Sequence, residues 1–217
     1  MRFETSDGMI EAPIDALIVA GWTGRDGAAV QHHIDELAAI GVTPPSRVPL
    51  FYRVSNTLVT QTPEIQVLGE HTSGEVEPLL LNISGILWLG LGSDHTDRAL
   101  ETVSVAASKQ ACAKPVAPGL WPMKEVEDHL DRLVLRCHIK EHGDWSLYQE
   151  GTLAAIRPLD ELARDAELAP GGAMLCGTVP AQGPIRPGVA WRMVLEDPLR
   201  ECSLALSYRV TTLPAVS

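Results

Sequence analysis

The chain has 217 residues, 45% of them apolar and 21% charged, a length and composition that suit one globular domain over residues 1–217 with a sizeable core. Its formal charge of −11, from 28 acidic against 17 basic residues, repels phosphate backbones and anionic bilayers, so no nucleic acid and no membrane is expected as a partner. No apolar run approaches the ~20 residues of a membrane span, the stretch MRFETSDGMIEAP lacks a basic-then-apolar leader, and Cys112, Cys137, Cys176 and Cys202 stand far apart without a CxxC pair; the expectation is a reduced, cytoplasmic protein.

In chain order, IDALIVAGW (14–22) reads as a buried strand stopped by glycine. AAVQHHIDELAAIG (28–41) reads as a short helix with Ala29, His33, Leu37 and Ile40 near one face, ended by Gly41 and Pro44. On it, His33 and Glu36 stand at i and i+3, where a carboxylate can orient an imidazole, so His33 is a candidate general base. The plainer reading is a surface pair on an amphipathic helix. Between Val48 and Leu91, VPLFYRVS, EIQVLGE, GEVEPLLLNI and GILWLGLG carry strand signals. In the third of these, Glu75 and Glu77 alternate with Val76 and point the same way. Like charges so close repel, and a hard cation held by carboxylate oxygens relieves that repulsion; a solvated strand face is the rival.

The next strand ends in SDHTDR (93–98). If the two strands fold back on each other through NISG, Asp94 arrives beside Glu75 and Glu77 as a third oxygen ligand for magnesium, manganese or calcium. Ser93, Asp94 or Thr96 serves equally well as a helix cap. DRALETVSVAASKQA (97–111) reads as one helix, in which Arg98 and Lys109 share a face but lie ~16 Å apart at 1.5 Å per residue. MKEVEDHLDRLVLRCHI (123–139) reads as helix running into strand, LDELARDAEL (159–168) as a short helix, APGGAMLCGTVP as a brief apolar run between turns, and WRMVLEDPLRECSLALSYRV as a hairpin. The expected class is mixed α/β, strand-rich, with short peripheral helices.

Taken in order, these segments resemble the catalytic domain of the fumarylacetoacetate hydrolase family, from about Leu17 to Val210. AGWTGRDGAAVQHHIDELAAIG is similar to the family's N-x-x-x-H-x-x-E stretch, and PPSRVPLFYRVSNTLV to its P-x-F-x-K-P-S segment, with Arg53 in place of lysine and Ser55 kept. EVEPLLL resembles the E-x-E metal strand, and GSDHTDRALE the N-D-x-S-A-R-D-x-Q turn. SKQACAKPVAPGLWP, LYQEGTLAAIRPLDEL and APGGAMLCGTVPAQG are similar to the lysine-bearing segment, the Q-D-G-x-T stretch and the P-G-D-x-I-x-T-G-T-P loop. The resemblance implies a β-roll, commonly a homodimer, with metal ligands Glu75, Glu77 and Asp94. It implies catalytic His33, Glu36 and Lys109, and substrate-side Arg53, Ser55, Arg98, Gln149 and Thr178. The implied chemistry is metal-dependent C–C hydrolysis of a small oxo or diketo acid. Decarboxylation, hydration or tautomerisation of a 2-oxo acid draws on the same enolate stabilisation, and a non-catalytic carboxylate-binding protein is the third reading. Departures mark a divergent branch: Ser93 replaces Asn, Glu101 stands where the family has glutamine, Gly-Gly replaces Gly-Asp, and only sixteen residues separate Glu77 from Asp94.

Overall fold

Strand alternation sorts the apolar residues of this chain into two cores. The computed structural model describes residues 1–39, 43–141 and 143–216; the expected helix residues Ile40 and Gly41 lie outside them. The strands longer than two residues are β1 (Arg2–Thr5), β2 (Gly8–Glu11), β3 (Ala16–Gly21), β4 (Leu50–Val54), β5 (Glu64–Leu68), β6 (Val76–Ile83) and β7 (Ile86–Ser93), followed by β8 (Val134–Glu141), β9 (Asp144–Thr152), β10 (Gly172–Leu175), β11 (Ala190–Asp197) and β12 (Cys202–Leu213). One sheet runs Trp121–Pro122, β7, β6, β10, β3, β4; the other runs β9, β8, β11, β12, β5.

The two sheets face each other across the larger core. Ile18, Leu80, Leu89, Leu91 and Met174 of the first meet Leu135, Ile139, Trp191, Leu195 and Tyr208 of the second. Leu17, Val19, Leu79, Leu81 and Leu175 point from the opposite face of the first sheet into a smaller core closed by Phe3, Val116 and Leu120. Both faces of β6 are therefore covered, which accounts for its nearly unbroken apolar run. The expected strand-rich α/β class holds. No described helix is long and apolar enough to cross a membrane, and all four cysteines are free.

Three expectations are corrected. The helix α1 (Gly27–Ala39) buries Ile34, with Val30 and Leu37 half-buried, whereas Ala29 and His33 are exposed; the buried face is turned away from His33. Residues 97–111 form two helices, α2 (Arg98–Glu101) and α3 (Val105–Gln110), because Ser104 starts a new helix by accepting a hydrogen bond from Ala107 N. Residues 123–132 form 3-10 turns rather than an α-helix, interrupted by extended φ at His129 (−140°). The fourth helix, α4 (Leu159–Asp165), and the β11–β12 hairpin fall where expected.

Candidate metal centre

The cluster is built by one hairpin. β6 and β7 pair from Ile83–Ile86 back to Glu77–Gly92 and Val76–Ser93, around a turn in which Ser84 and Gly85 both take positive φ (54° and 89°). Beyond the last pair, Asp94 N donates to Glu75 O at 3.1 Å, so the register itself sets Asp94 against Glu75. One carboxylate oxygen from each of Glu75, Glu77 and Asp94 lies within 4.8 Å of the others. Glu77 and Asp94 are buried and Glu75 is half-buried.

Three cations surround these carboxylates. Lys109 Nζ donates to Asp94 Oδ2, and Lys114 Nζ stands 3.0 Å from Asp94 Oδ1 while donating to the His95 carbonyl. Arg98 Nη2 lies 3.2 Å from Glu75 Oε2, its Nη1 donates to Glu101 at 2.9 Å, and its Nε donates to Ser73 Oγ at 2.7 Å. The break between α2 and α3 lets Arg98 and Lys109 converge on one cluster, which a continuous helix would have prevented.

Burial alone would push the Asp94 carboxyl up, but Lys109 and Lys114 outweigh it and hold Asp94 below the usual carboxylate range. Burial, and then the Asp94 charge, push Glu77 well above that range; Gly177 N, donating to Glu77 Oε2 at 2.8 Å, offsets only part of this. Burial would lower Lys109, yet Asp94, Glu75 and Glu77 keep it raised.

The donor set fits a divalent cation. It is all oxygen, which suits magnesium or manganese rather than zinc. Asp94 Oδ1 is buried and accepts no aligned hydrogen bond, its one close polar neighbour being the Lys114 ammonium as an ion-pair partner at 3.0 Å. A divalent charge at this point would also relieve the repulsion that disfavours ionised Glu77.

The residues after Asp94 depart from their expected roles. Asp97, not Ser93 or Thr96, caps α2 by accepting from Leu100 N at 3.0 Å. Ser93 Oγ shares a hydrogen bond with Tyr208 Oη (2.8 Å), and Thr96 Oγ1 donates to Asp94 O (3.2 Å). His95 is fully buried, held between Tyr208 Oη (3.0 Å) and Thr72 Oγ1 (2.9 Å); burial, then Lys114 and Arg98, push it down to about 3. It is a neutral structural group. Gly74 is required beside it, because a Cβ there would lie 2.4 Å from Tyr208 Oη.

Gln149 and Thr178 clamp the loop after β10 onto the cluster. Gln149 Oε1 accepts from Val76 N at 3.1 Å, its amide donates to Thr178 Oγ1 (2.8 Å) and Val179 O (2.7 Å), and Thr178 Oγ1 donates to Val76 O (2.6 Å). These partners use the polar atoms that the substrate-side expectation would need. Ser55 likewise caps the turn Asn56–Leu58, its Oγ accepting from Thr57 N, and its own N–H donates to Gln110 Oε1 at 2.8 Å.

Arg53 Nη2 donates to Ala166 O at 2.8 Å, whereas the ring of the adjacent Tyr52 stands 5.7 Å from Lys109 Nζ. His33 and Glu36 do pair, at 3.6 Å, but both are exposed, and Glu36 also meets His32 at 3.3 Å. Lys114 and Tyr52 were missed. Counting strand alternation from Arg53 points to Tyr52; nothing local in SKQACAKP distinguishes Lys114 from Lys109.

The family described as proteins of unknown function, DUF2848, matches residues 20–208. The chain belongs to that family. No curated protein matches it. Among solved structures, the crystal structures of Cg1458 superpose with a TM-score of 0.63 at 14% identity, covering 98% of this chain and 98% of that one. A hexagonal crystal form of 2-keto-3-deoxyarabinonate dehydratase gives 0.65 at 15% identity, over 93% of this chain and 75% of the other. The 2-keto-3-deoxy-D-arabinonate dehydratase complexed with magnesium and 2,5-dioxopentanoate gives 0.63 at 15% identity, over 94% and 74%. At such identities the likeness is one of fold, and the expected fumarylacetoacetate-hydrolase-like β-roll with short peripheral helices is that fold.

Proposed function

We propose that the chain is a divalent-metal-dependent enzyme acting on a small anionic 2-oxo acid, with magnesium or manganese held by Glu75, Glu77 and Asp94. The observation that carries this reading is the convergence of those three carboxylates, two of them buried and Glu75 half-buried, among Lys109, Lys114 and Arg98. Such a fold also accommodates magnesium and 2,5-dioxopentanoate in the dehydratase neighbour, which supports the class of ligand. The same reading takes residues 1–217 as one domain, working as a homodimer.

When bound, the metal supplies Lewis-acid charge to a chelated oxo acid. Lys114, anchored to Asp94 and the His95 carbonyl, keeps Asp94 ionised. Lys109, 7% exposed and close to Tyr52, is the ammonium that meets negative charge developing on the substrate oxygens. Arg98, fixed by Glu75, Glu101 and Ser73, offers a second fixed positive charge on the same side. Gln149 and Thr178 hold the Gly177 N–H on Glu77.

Dehydration, decarboxylation or tautomerisation needs enolate charge stabilised and a proton moved at carbon, but no activated water. Hydrolytic C–C cleavage also needs an activated water, which His33 oriented by Glu36 would furnish. That dyad is exposed on α1, which favours the lyase reading and makes hydrolysis the second one.

Calorimetric titration of Mg²⁺ and Mn²⁺ into the chelator-stripped chain, with and without oxalate as a planar enolate mimic, tests the proposal. Metal-dependent oxalate binding lost in Glu77→Ala is the expected result; an oxo-acid panel then separates turnover from ligand binding alone. Metal affinity retained in Asp94→Ala would overturn the ligand set.

A further inference from the structure

An aromatic pair stands between α1 and the carboxylate cluster with no task in the chemistry above. Trp22 follows β3 with φ of 62°, a backbone conformation that bulky residues rarely adopt. In that conformation its indole Nε1 donates to Tyr52 Oη at 3.3 Å. Gly21 makes the approach feasible, since a Cβ there would lie 2.9 Å from Tyr52 Cε2. The Tyr52 ring is 5.7 Å from Lys109 Nζ, and Trp22 packs against the His33 ring with centroids 5.8 Å apart. Both aromatic side chains are only half-buried, so ring surface remains open beside Lys109.

Tyr52 also lines a cavity of about 270 Å³ together with Leu50, Val103, Val105 and Pro44. Glu101, the partner of Arg98, belongs to the same lining. The cavity therefore adjoins the cluster at two of its residues, one beside Lys109 and one beside Arg98. Of its polar groups, Ser104 Oγ accepts from Ala107 N, Glu101 Oε2 accepts from Arg98, and Tyr52 Oη accepts from Trp22, while Thr43 and Ser46 add two hydroxyls to the lining. A flat apolar arm would stack on the Tyr52 and Trp22 rings and meet Leu50, Val103, Val105 and Pro44.

We propose that Tyr52, Trp22 and the adjoining cavity receive the side arm of the substrate, and that the arm is aromatic, making the substrate an arylpyruvate-type 2-oxo acid. This inference rests on the oxo-acid reading above. Tyr52 and Trp22 are then specificity-determining residues, and Lys109 lies where the reacting end and the arm meet.

Pyruvate and phenylpyruvate share the reacting end and differ in the arm. Calorimetry on the full chain with Mg²⁺ is expected to give phenylpyruvate at least about tenfold tighter than pyruvate. Tyr52→Ala is expected to reduce phenylpyruvate to the affinity of pyruvate. Trp22→Phe keeps a ring but removes the indole N–H, and is expected to narrow the gap and abolish the indole fluorescence change that phenylpyruvate causes. Equal affinities in the unmodified chain, or a preference that survives both Tyr52→Ala and Trp22→Ala, overturn the inference and leave the oxo-acid reading standing. If oxalate, pyruvate and phenylpyruvate all fail to bind with Mg²⁺ present, the reading falls and the inference with it.

Discussion

The open end of the β6–β7 hairpin and the outer face of α1 carry the same kind of sequence signal, acidic side chains spaced to meet a partner, yet they differ in how firmly that signal is enforced. At the hairpin, Glu77 and Asp94 enter a covered layer, and a buried charge without a partner is so costly that its surroundings must supply cations or hydrogen bonds. Asp94 accordingly meets two lysines, and Glu77 meets the Gly177 amide. On α1, Glu36 lies in solvent between His32 and His33, and neither contact is required for the fold. Burial turns a spacing pattern into a fixed constellation; exposure leaves it optional.

Breaking the first region should have the largest effect. Asp94→Ala strips the shared ion-pair partner from two buried ammonium groups, Lys109 and Lys114. A loss of about 3–5 kcal/mol in a denaturant titration is expected, together with abolished metal binding by calorimetry. Glu36→Ala, the matching deletion on α1, should leave the denaturation midpoint where it was.

Acid should expose the same contrast in the metal-free chain. His95 is held neutral in the fold, down to about 3, whereas an unfolded histidine titrates near 6.5. A folded value below the unfolded one means that the unfolded chain takes up the proton first. The stabilisation is therefore complete above about pH 6.5 and fades as pH falls toward 3, by roughly 3 kcal/mol at pH 4. Denaturant titrations across that window, compared with His95→Gln, should show the slope in the parent chain and a flatter one in the variant. Parallel slopes would mean that His95 is not held neutral.

A smaller effect is expected at the clamp beneath the cluster. Gln149→Leu leaves Val76 N and Val179 O without their side-chain partner in a buried setting, so about 2 kcal/mol should be lost. Oxalate affinity should weaken because the loop carrying Gly177 is no longer held against Glu77. Unchanged affinity would separate the clamp from the site.

What could be read in advance follows the same division. The strands, the hairpin and the approach of Asp94 to Glu75 were legible because period-two alternation and a short turn dictate register. The split of residues 97–111 was also open to detection, since Ser104 is a good N-cap, but Ala and Leu on either side masked it. Two features had no local signature. Lys114 reaches Asp94 only because Lys114–Pro115 pairs with Val59–Thr60, a long-range contact. The substrate-side expectation for Arg53 followed a motif position, whereas the strand turns Tyr52 toward Lys109 instead.

The gentlest perturbation addresses α1 itself. His33 is exposed and meets Trp22 and Glu36, so His33→Ala should change neither Mg²⁺ affinity nor oxalate affinity by more than about twofold. Its use lies in reading turnover against binding. If the reaction proceeds by lyase chemistry alone, kcat on an active oxo acid should also survive, because no water has to be deprotonated. If it is hydrolytic, kcat should fall by roughly two orders of magnitude or more with KM nearly unchanged. The second outcome would require α1 to carry His33 toward the cluster during turnover. The optional pair would then become a working one only in the substrate complex.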